Sequence, residues 1–261
     1  MKCMEVNMTI NLPKNQINSK ANKAMDNLLS RQDYLVVQGN DLAKAFGNLA
    51  SFQHKVLDYC FSFVTQNSHP SDEYTASASD IIHHLGLTVS GTNYKRVGEA
   101  FKALNERTAL YLHIQRKDGT QGIRMTQLFD SIDFYEDGKI KFRFGQSAAP
   151  YVYELRKNFY SFKLRELANI KSKYSLIMMK LWQSNKMGNQ LNVTIKGSME
   201  DWQGWFLGNK KRWPANRFKQ RVIDVATKEL GDKLSCWFLV KSIKNGRRII
   251  GYEITIHSQN A

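Results

Sequence analysis

The residues with the clearest chemical potential are polar and basic side chains on one predicted helix in the second half of the chain. Helical periodicity over residues 214–230 separates an apolar stripe from a polar face, which carries Asn216, Arg217, Gln220, Arg221 and Asp224. Arginine can form two hydrogen bonds to guanine, asparagine and glutamine can do so to adenine, and a helix N-terminus can face phosphate. The pattern predicts a helix that reads base edges in the major groove of double-stranded DNA.

Further basic residues lie before and beyond this helix, where they would contact phosphates on either side of the groove. We predict phosphate-binding roles for Lys210, Lys211, Arg212, Lys228, Lys241, Lys244, Arg247 and Arg248. A basic amphipathic helix by itself is equally typical of a solvated surface. The helix, the basic run before it and a basic hairpin after it together favour a DNA interface.

The distribution of charge along the chain favours a polyanionic partner. Residues 156–261 contain 21 Lys and Arg against 7 Asp and Glu, whereas residues 1–155 contain 17 against 16, and the whole chain has a formal charge of +15. Nucleic acid is the expected partner. An anionic membrane surface would attract the same charge, although no apolar run approaches the roughly 18 residues of a membrane span. Scattered cysteines and the lack of a signal-peptide pattern favour the cytoplasm.

The sequence lacks the motifs of catalysis. No G-x-x-x-x-G-K-[ST] phosphate loop occurs, and His83 and His84 are adjacent rather than spaced as the His-x-His metal ligands of a nicking enzyme. The acidic cluster within residues 130–137 surrounds a predicted strand pair, which is typical of a solvated turn rather than an ion site. We therefore expect no enzymatic activity, no cofactor and no metal.

The elements that must position these residues follow one plan twice: three helices and then a β-hairpin, which is the winged-helix arrangement. In the first half we predict helices over residues 52–64, 76–85 and 92–106, and strands at 110–116, 123–129, 131–135 and 139–144. In the second half we predict helices at 174–182, 199–207 and 214–230, and strands at 236–243 and 247–256.

Two local sequence signals add detail to the elements predicted in the second half. An Asn245-Gly246 pair predicts the turn of the last hairpin. The buried stripe of the last helix is predicted as Phe218, Val222, Val225 and Ala226, with Gly231 as its stop.

The predicted fold class is α+β with two tandem winged-helix domains. Residues 1–34, rich in Asn, Lys and Ser, form an N-terminal segment that is expected to be flexible. Residues 35–150 form the first domain, and residues 151–261 form the second, which carries the main DNA interface. In the first domain the equivalent helix presents Lys95, Arg96 and Lys102 as auxiliary DNA contacts, and a structural or dimer-forming face is an equal alternative.

Three passages of the second half carry a family resemblance. They are Phe162-x-Leu164 through Leu167 into Lys171-Ser172-Lys173-Tyr174-Ser175 and then Leu181-Trp182; Phe218-Lys219-x-Arg221-Val222-Ile223; and Gly246-Arg247-Arg248-Ile249-Ile250-Gly251-Tyr252. With the first-half runs 76–85 and 94–104 they cover about residues 35–256. In order and spacing they resemble the plasmid replication initiators of the Rep family, which bind iterons, the short direct repeats of plasmid origins.

The resemblance implies two winged-helix domains without catalytic activity. The C-terminal domain would read the major groove of an iteron through the helix positions named above, with phosphate roles for Lys219 and Arg248. The N-terminal domain would contact adjoining DNA as a monomer and pair with itself in a repressor dimer. The resemblance also implies that the protein distorts adjacent AT-rich DNA and recruits the host initiator and the replicative helicase.

Two other functions stay open on the sequence alone. An ordinary winged-helix transcriptional repressor would bind an inverted repeat as a stable dimer, whereas an initiator would fill direct repeats as monomers. A nicking or nucleolytic enzyme would cut supercoiled origin DNA in the presence of Mg²⁺, and an initiator of this kind would not.

Overall fold

The computed structural model describes residues 35–153, 159–164, 167 and 169–258. Its helices and strands form two units of one plan, in which a strand before the second helix pairs with the last strand of a hairpin. This is the α+β arrangement of tandem winged helices that the sequence predicts. The segment 1–34, expected to be flexible, lies outside the described residues.

The first unit begins with a strand and a 3₁₀ helix, Asn40–Lys44. Its elements are β1 (Leu35–Gly39), α1 (Ser51–Phe61), β2 (Tyr74–Ser77), α2 (Ala78–His84), α3 (Gly91–Arg107), β3 (Ala109–Gln115), β4 (Gln121–Gln127), β5 (Phe129–Phe134) and β6 (Lys139–Phe144). Strands β2, β6 and β5 form an antiparallel sheet in that order, while β3 and β4 form a separate hairpin. The two hairpins turn at Asp118-Gly119 and Asp137-Gly138, where both glycines have a positive φ.

The second unit repeats the plan after a short connection. Its elements are α4 (Ala149–Val152), β7 (Phe159–Lys163), α5 (Lys173–Asn185), β8 (Asn192–Ser198), α6 (Met199–Leu207), α7, β9 (Cys236–Asn245) and β10 (Arg248–Ser258). Helix α7 is continuous and consists of Ala215–Phe218, a π-helical turn at Lys219–Ile223 and Asp224–Lys233. Strands β8, β10 and β9 form an antiparallel sheet in that order, and β7 pairs with β1 of the first unit.

The sequence interpretation missed two strands in each unit, β1 and β2 in the first and β7 and β8 in the second. Residues 76–85 were predicted as one helix, but Ala76 lies in β2 opposite Ile140, and the helix begins only at Ala78. Strand β8 was not predicted at all. Its signal is the alternation of Val193 and Ile195, which are both buried between polar neighbours.

Helix α7 differs from the prediction in which apolar residues are buried and in the residue at which the helix ends. Ile223 is completely buried, whereas Val225, predicted to be buried, is 40% exposed. The cause is the π-helical turn: the N–H of Asp224 bonds to the carbonyl of Lys219, five residues back, which shifts the apolar stripe from the positions that a regular α-helix gives. The helix also passes through the predicted stop at Gly231 and ends at Lys233.

The turn of the last hairpin lies one residue later than predicted. Asn245 is opposite Arg248 in the ladder, so the two-residue loop is Gly246-Arg247. Gly246 occupies its first position with a φ of 56°, which favours glycine at that position. The shift places Arg247 at the tip of the wing.

Helix α5 joins the two units. Every residue from Ser175 to Trp182 is buried, as expected for a helix that is enclosed on all sides. Near its start, Lys173 Nζ donates to the carbonyls of Gly47 at 2.7 Å and Phe206 at 3.1 Å, which belong to different units. Farther along, Lys180 forms a buried ion pair of 2.6 Å with Asp58 of α1. The helix therefore has polar anchors in both units.

Candidate nucleic-acid interface

Helix α6 begins the helix-turn-helix of the second unit and is defined at both ends. Ser198 and Asp201 form a capping box, with the Ser198 hydroxyl accepting from the Asp201 N–H at 3.1 Å and the Asp201 carboxylate accepting from the Ser198 N–H at 2.9 Å. The helix ends at Gly208, whose φ is 60°. Trp202 and Phe206 are buried on its inner side, so the helix is fixed against the core.

The loop between α6 and α7 carries the predicted basic run. Lys210, Lys211 and Arg212 are exposed, and Arg212 donates to the Gly208 carbonyl at 2.7 Å. The next residue, Trp213, packs partly against the core. Pro214 then occupies the N-cap position of α7. The basic run therefore lies just before the N-terminus of α7, the predicted reading helix.

Helix α7 brings the predicted base-reading residues together on one outer face. Asn216, Arg217, Gln220 and Arg221 are exposed, and Asp224 is half-buried. The opposite side of the helix is packed into the core through Phe218, Val222, Ile223, Ala226 and Leu230. The helix is thus anchored by its apolar side and presents a polar side with the hydrogen-bonding groups that base edges require.

Ion pairs on α7 change the interpretation of two predicted phosphate contacts. Lys219 lies 2.7 Å from the Asp224 carboxylate across the π-helical turn, and Lys228 lies 2.8 Å from Asp232. The hydrogen bond that Lys228 donates to the Asp232 carboxylate raises the pKa of Lys228. Since pairs this exposed contribute little to stability, a phosphate group can compete for either lysine. Asp224, which is predicted to read a base, is nevertheless paired with Lys219 of its own helix.

The wing is attached directly to the start of α7. Tyr252 of β10 is buried, and its hydroxyl donates to the Ala215 carbonyl at 3.0 Å. Its own carbonyl accepts from the indole N–H of Trp202 at 2.9 Å. The sequence analysis did not assign a site role to Tyr252, although it belongs to the quoted passage 246–252. One residue therefore links α6, α7 and the wing.

Four predicted phosphate-binding residues lie along the outer part of the wing. Lys241, Lys244, Arg247 and Arg248 are all exposed. Lys244 and Arg248 flank the Gly246-Arg247 loop on opposite strands. The wing therefore presents one cluster of cations, and Lys210, Lys211 and Arg212 form another just before the start of α7.

Glu229 ties α7 to the joining helix α5. Its carboxylate accepts from the backbone N–H groups of Lys171 at 2.7 Å and Ser172 at 2.9 Å, and it pairs with Lys233 at 2.8 Å. Burial raises the pKa of Glu229, but the hydrogen bonds from Lys233 and from these two N–H groups outweigh it and bring the pKa to about 2. The sequence analysis missed this residue because its partners are distant in sequence.

The predicted auxiliary residues of the first unit lie on the outer face of α3. Lys95, Arg96 and Lys102 are exposed. The Arg96 guanidinium lies 4.1 Å from the Phe52 ring centroid, and Lys102 lies 3.8 Å from Glu106. This face thus mixes both signs of charge with an occupied cation–π contact.

Among the residues that the structure describes, the other titratable groups are scattered or already paired with neighbouring residues. No group of three or more His, Cys, Asp or Glu side chains is placed to hold a metal ion in that part of the chain. In the acidic cluster 130–137, Asp130 pairs with Arg143, and Asp137 accepts from the Lys139 N–H at 2.9 Å. None of the helices in the described ranges is long and apolar enough to cross a membrane.

Similarity to a solved structure, the Pi initiator protein, supports the fold. The Pi initiator protein in complex with iteron DNA superposes with a TM-score of 0.69 at 14% identity, covering 88% of this chain and 99% of that chain. Domains 2 and 3 of RctB superpose with a TM-score of 0.49 at 12% identity, covering 82% of this chain and 84% of that chain. A search of curated proteins found no match.

Two family descriptions match almost the whole described chain. "Initiator Replication protein, WH1" matches residues 35–183, and "Initiator Rep protein, WH2" matches residues 198–256. The first match includes α5, which the sequence analysis placed in the second domain. The bounds 35–150 and 151–261 remain a prediction, whereas the family resemblance is confirmed. The chain belongs to the initiator replication protein family, with one winged-helix domain of each type.

Proposed function

We propose that this protein initiates plasmid replication by binding short direct repeats of double-stranded DNA at the origin. The observation that carries the proposal is the outer face of α7, with Asn216, Arg217, Gln220 and Arg221 exposed beside a basic wing. The Pi initiator protein, which shares this fold, was solved with iteron DNA. In this proposal α7 reads the major groove, the two basic groups contact phosphates, and α3 makes auxiliary contacts through Lys95, Arg96 and Lys102.

The proposed working form on direct repeats is a monomer. Each repeat would bind one copy in the same orientation, and the bound array would promote opening of adjacent AT-rich DNA. Recruitment of the host initiator and the replicative helicase belongs to the same proposal, as does a cytoplasmic location.

A second candidate function, repression of its own gene by a dimer, is favoured by the β3–β4 hairpin. Tyr111 and Met125 are opposite each other and are 65% and 75% exposed, and Ile123 follows on the same face at 57%. Within the described residues no third strand joins this hairpin. Apolar side chains grouped in this way mark a surface that associates with a partner. We propose that a second copy of the chain covers it.

The dimer proposal is tested by Met125→Glu. A buried charge in the interface should convert the dimer to a monomer in sedimentation velocity, while binding to a single direct repeat stays within twofold. Lys117→Glu at the hairpin tip is the control for added negative charge. Unchanged sedimentation of Met125→Glu would remove this hairpin from the dimer interface.

The initiator proposal is tested with the DNA that flanks the gene. We expect footprints of equal length on tandem direct repeats, one protein per repeat, and no cleavage of supercoiled DNA in the presence of Mg²⁺. Binding only to an inverted repeat as a stable dimer would favour the repressor, and protein-dependent nicking would favour an enzyme.

Arg221→Ala tests the assignment of the reading face. We expect the variant to lose about 1–3 kcal/mol on the cognate repeat with little loss on random DNA, because the lost contact is to a base. Arg116→Ala, which removes an exposed arginine from the β3–β4 turn, should bind both DNAs normally. Equal losses on both DNAs would demote Arg221 to a phosphate contact.

A further inference from the structure

The backbone just before α7 is held by a buried glutamine. Gln203 of α6 is 2% exposed. Its side-chain amide donates from Nε2 to the Trp213 carbonyl at 2.8 Å, and its Oε1 accepts from the Trp213 N–H at 2.6 Å. A side-chain amide that satisfies both backbone groups of one residue fixes that residue more firmly than either bond alone. Trp213 therefore has a defined position relative to α6.

The ring of Trp213 in turn holds Arg217. The guanidinium carbon of Arg217 lies 4.8 Å from the centroid of the Trp213 ring, within the range of a cation–π contact. Trp213 is four residues earlier and lies outside the helix, so the contact spans the N-terminus of α7. A guanidinium stacked on a ring still has its N–H groups free at its edge, which is the edge that binds guanine bidentately.

We propose that Gln203 and Trp213 are positioning residues that hold Arg217 in the orientation required to read a guanine. The inference rests on the proposed function and extends it to two residues that do not themselves read bases. Restricting the long arginine side chain before binding lowers the entropy that is lost when the contact forms. We call Gln203 and Trp213 together the clamp. The clamp therefore affects how strongly the protein prefers guanine over other bases at one position of the repeat.

The alternative is that Gln203 and Trp213 only shape the loop that carries Lys210, Lys211 and Arg212. The two roles predict different measurements. Loss of the loop's shape would move three cations and so lower the salt dependence of binding on any sequence. Loss of the clamp would leave the salt dependence unchanged and reduce the penalty for altering a single guanine.

The test combines protein variants with 7-deazaguanine, which lacks the N7 acceptor. The Arg217→Ala variant first identifies the guanine that Arg217 reads. At that guanine, replacement by 7-deazaguanine no longer lowers the affinity of the variant. At that guanine the wild-type protein should lose about 5- to 150-fold in affinity on deaza substitution. Trp213→Leu should reduce this penalty at least threefold with an unchanged salt slope, whereas Trp213→Phe, which retains an aromatic ring, should keep most of it.

Two further variants complete the test. Trp237→Leu removes a tryptophan of the same unit that stacks on His257 and should keep the full penalty. Gln203→Glu should weaken the penalty as Trp213→Leu does, since a carboxylate cannot donate to the Trp213 carbonyl, and circular dichroism must show a native fold.

The outcomes separate the inference from the proposed function. If the wild-type protein binds no repeat specifically, the proposed function fails. If it binds specifically but Trp213→Leu keeps the full wild-type penalty, or if Arg217→Ala shows no guanine-specific effect, the clamp is refuted while the function stands. If Trp213→Leu lowers the slope of log affinity against log salt, Gln203 and Trp213 only shape the loop that carries the basic run.

Discussion

Single residues in this protein act through partners that lie far away in sequence. Glu229 is an example, because its carboxylate accepts from the N–H groups of Lys171 and Ser172 at the start of α5. These N–H groups have no partner within their own helix. A carboxylate on α7 thus stabilises the N-terminus of the helix that joins the two units.

Glu229 gives a pH-dependent prediction. Its pKa in the folded protein is about 2, below the ordinary value of 4.5. A lowered carboxyl pKa contributes stability that is present above pH 4.5 and is lost as the pH falls towards 2. We expect Glu229→Gln to be less stable than wild type in urea at pH 7, and the difference to vanish as the pH approaches 2. Glu200→Gln, on α6, is the control. A difference that is independent of pH would contradict this role.

At the scale of elements, the π-helical turn decides what α7 presents to solvent. It buries Ile223 and leaves Val225 40% exposed. The polar face therefore contains one aliphatic side chain, between Arg221 and Lys228 on successive turns. A regular α-helical wheel cannot place Val225 correctly, because the insertion that displaces it is a property of the backbone.

Stability measurements can test this placement. Ile223→Ala should cost about 2–5 kcal/mol because it leaves a cavity in the core. Val225→Ala should change stability by no more than about 0.5 kcal/mol because the side chain is at the surface. Urea unfolding of the two variants measures both values. Comparable losses would mean that Val225 is packed as the sequence pattern first indicated.

The wing makes a different prediction because its residues would contact phosphates. Removing Lys244 or Arg248 should lower the slope of log affinity against log salt by roughly one unit on any DNA sequence, since one fewer counterion is released. Lys196→Ala on β8, which is exposed but outside the predicted interface, should leave the slope unchanged. A wing variant with the wild-type slope would remove that residue from the interface.

The sequence predicts most of the helices and the last hairpin because amphipathic periods and turn residues are local signals. It also places Asn216, Arg217, Gln220 and Arg221 on one exposed face, as found. It does not predict β2, which is short. It also overlooks β8, which can be recognised only when its partner strand β10 is known. The clamp around Trp213, the Tyr252 hydroxyl bond and the role of Glu229 depend on tertiary contacts. No pattern within a single helix encodes these contacts.

At the scale of the whole molecule, the two units share a buried polar contact. Lys180 of α5 pairs with Asp58 of α1, and Gln38 of β1 donates to the same carboxylate oxygen at 2.9 Å. Burial raises the pKa of Asp58, and the attraction and hydrogen bond of Lys180 oppose that rise. The pair joins α5 to the first unit, while Glu229 joins it to the second.

Breaking this pair should destabilise the protein as a whole. Lys180→Met leaves a buried carboxylate without its cation and should cost about 3–5 kcal/mol. Adding Asp58→Asn should recover most of the loss, because the amide oxygen can still accept from Gln38 and no charge remains buried. Urea midpoints of the two variants test this. A double variant no more stable than Lys180→Met would show that the charge itself is not the cause.

Helix α5 also limits how the second unit can be transplanted into another protein. A fragment that starts at β8 would contain every predicted base-reading residue, yet it would lack Lys171 and Ser172, the partners of Glu229, and the helix against which α7 packs. A fragment that starts before Lys171 would keep these contacts but would expose the side of α5 that the first unit covers. A graft of this domain therefore needs either a substitute for that cover or polar replacements on α5, and the recipient protein must be chosen or redesigned accordingly.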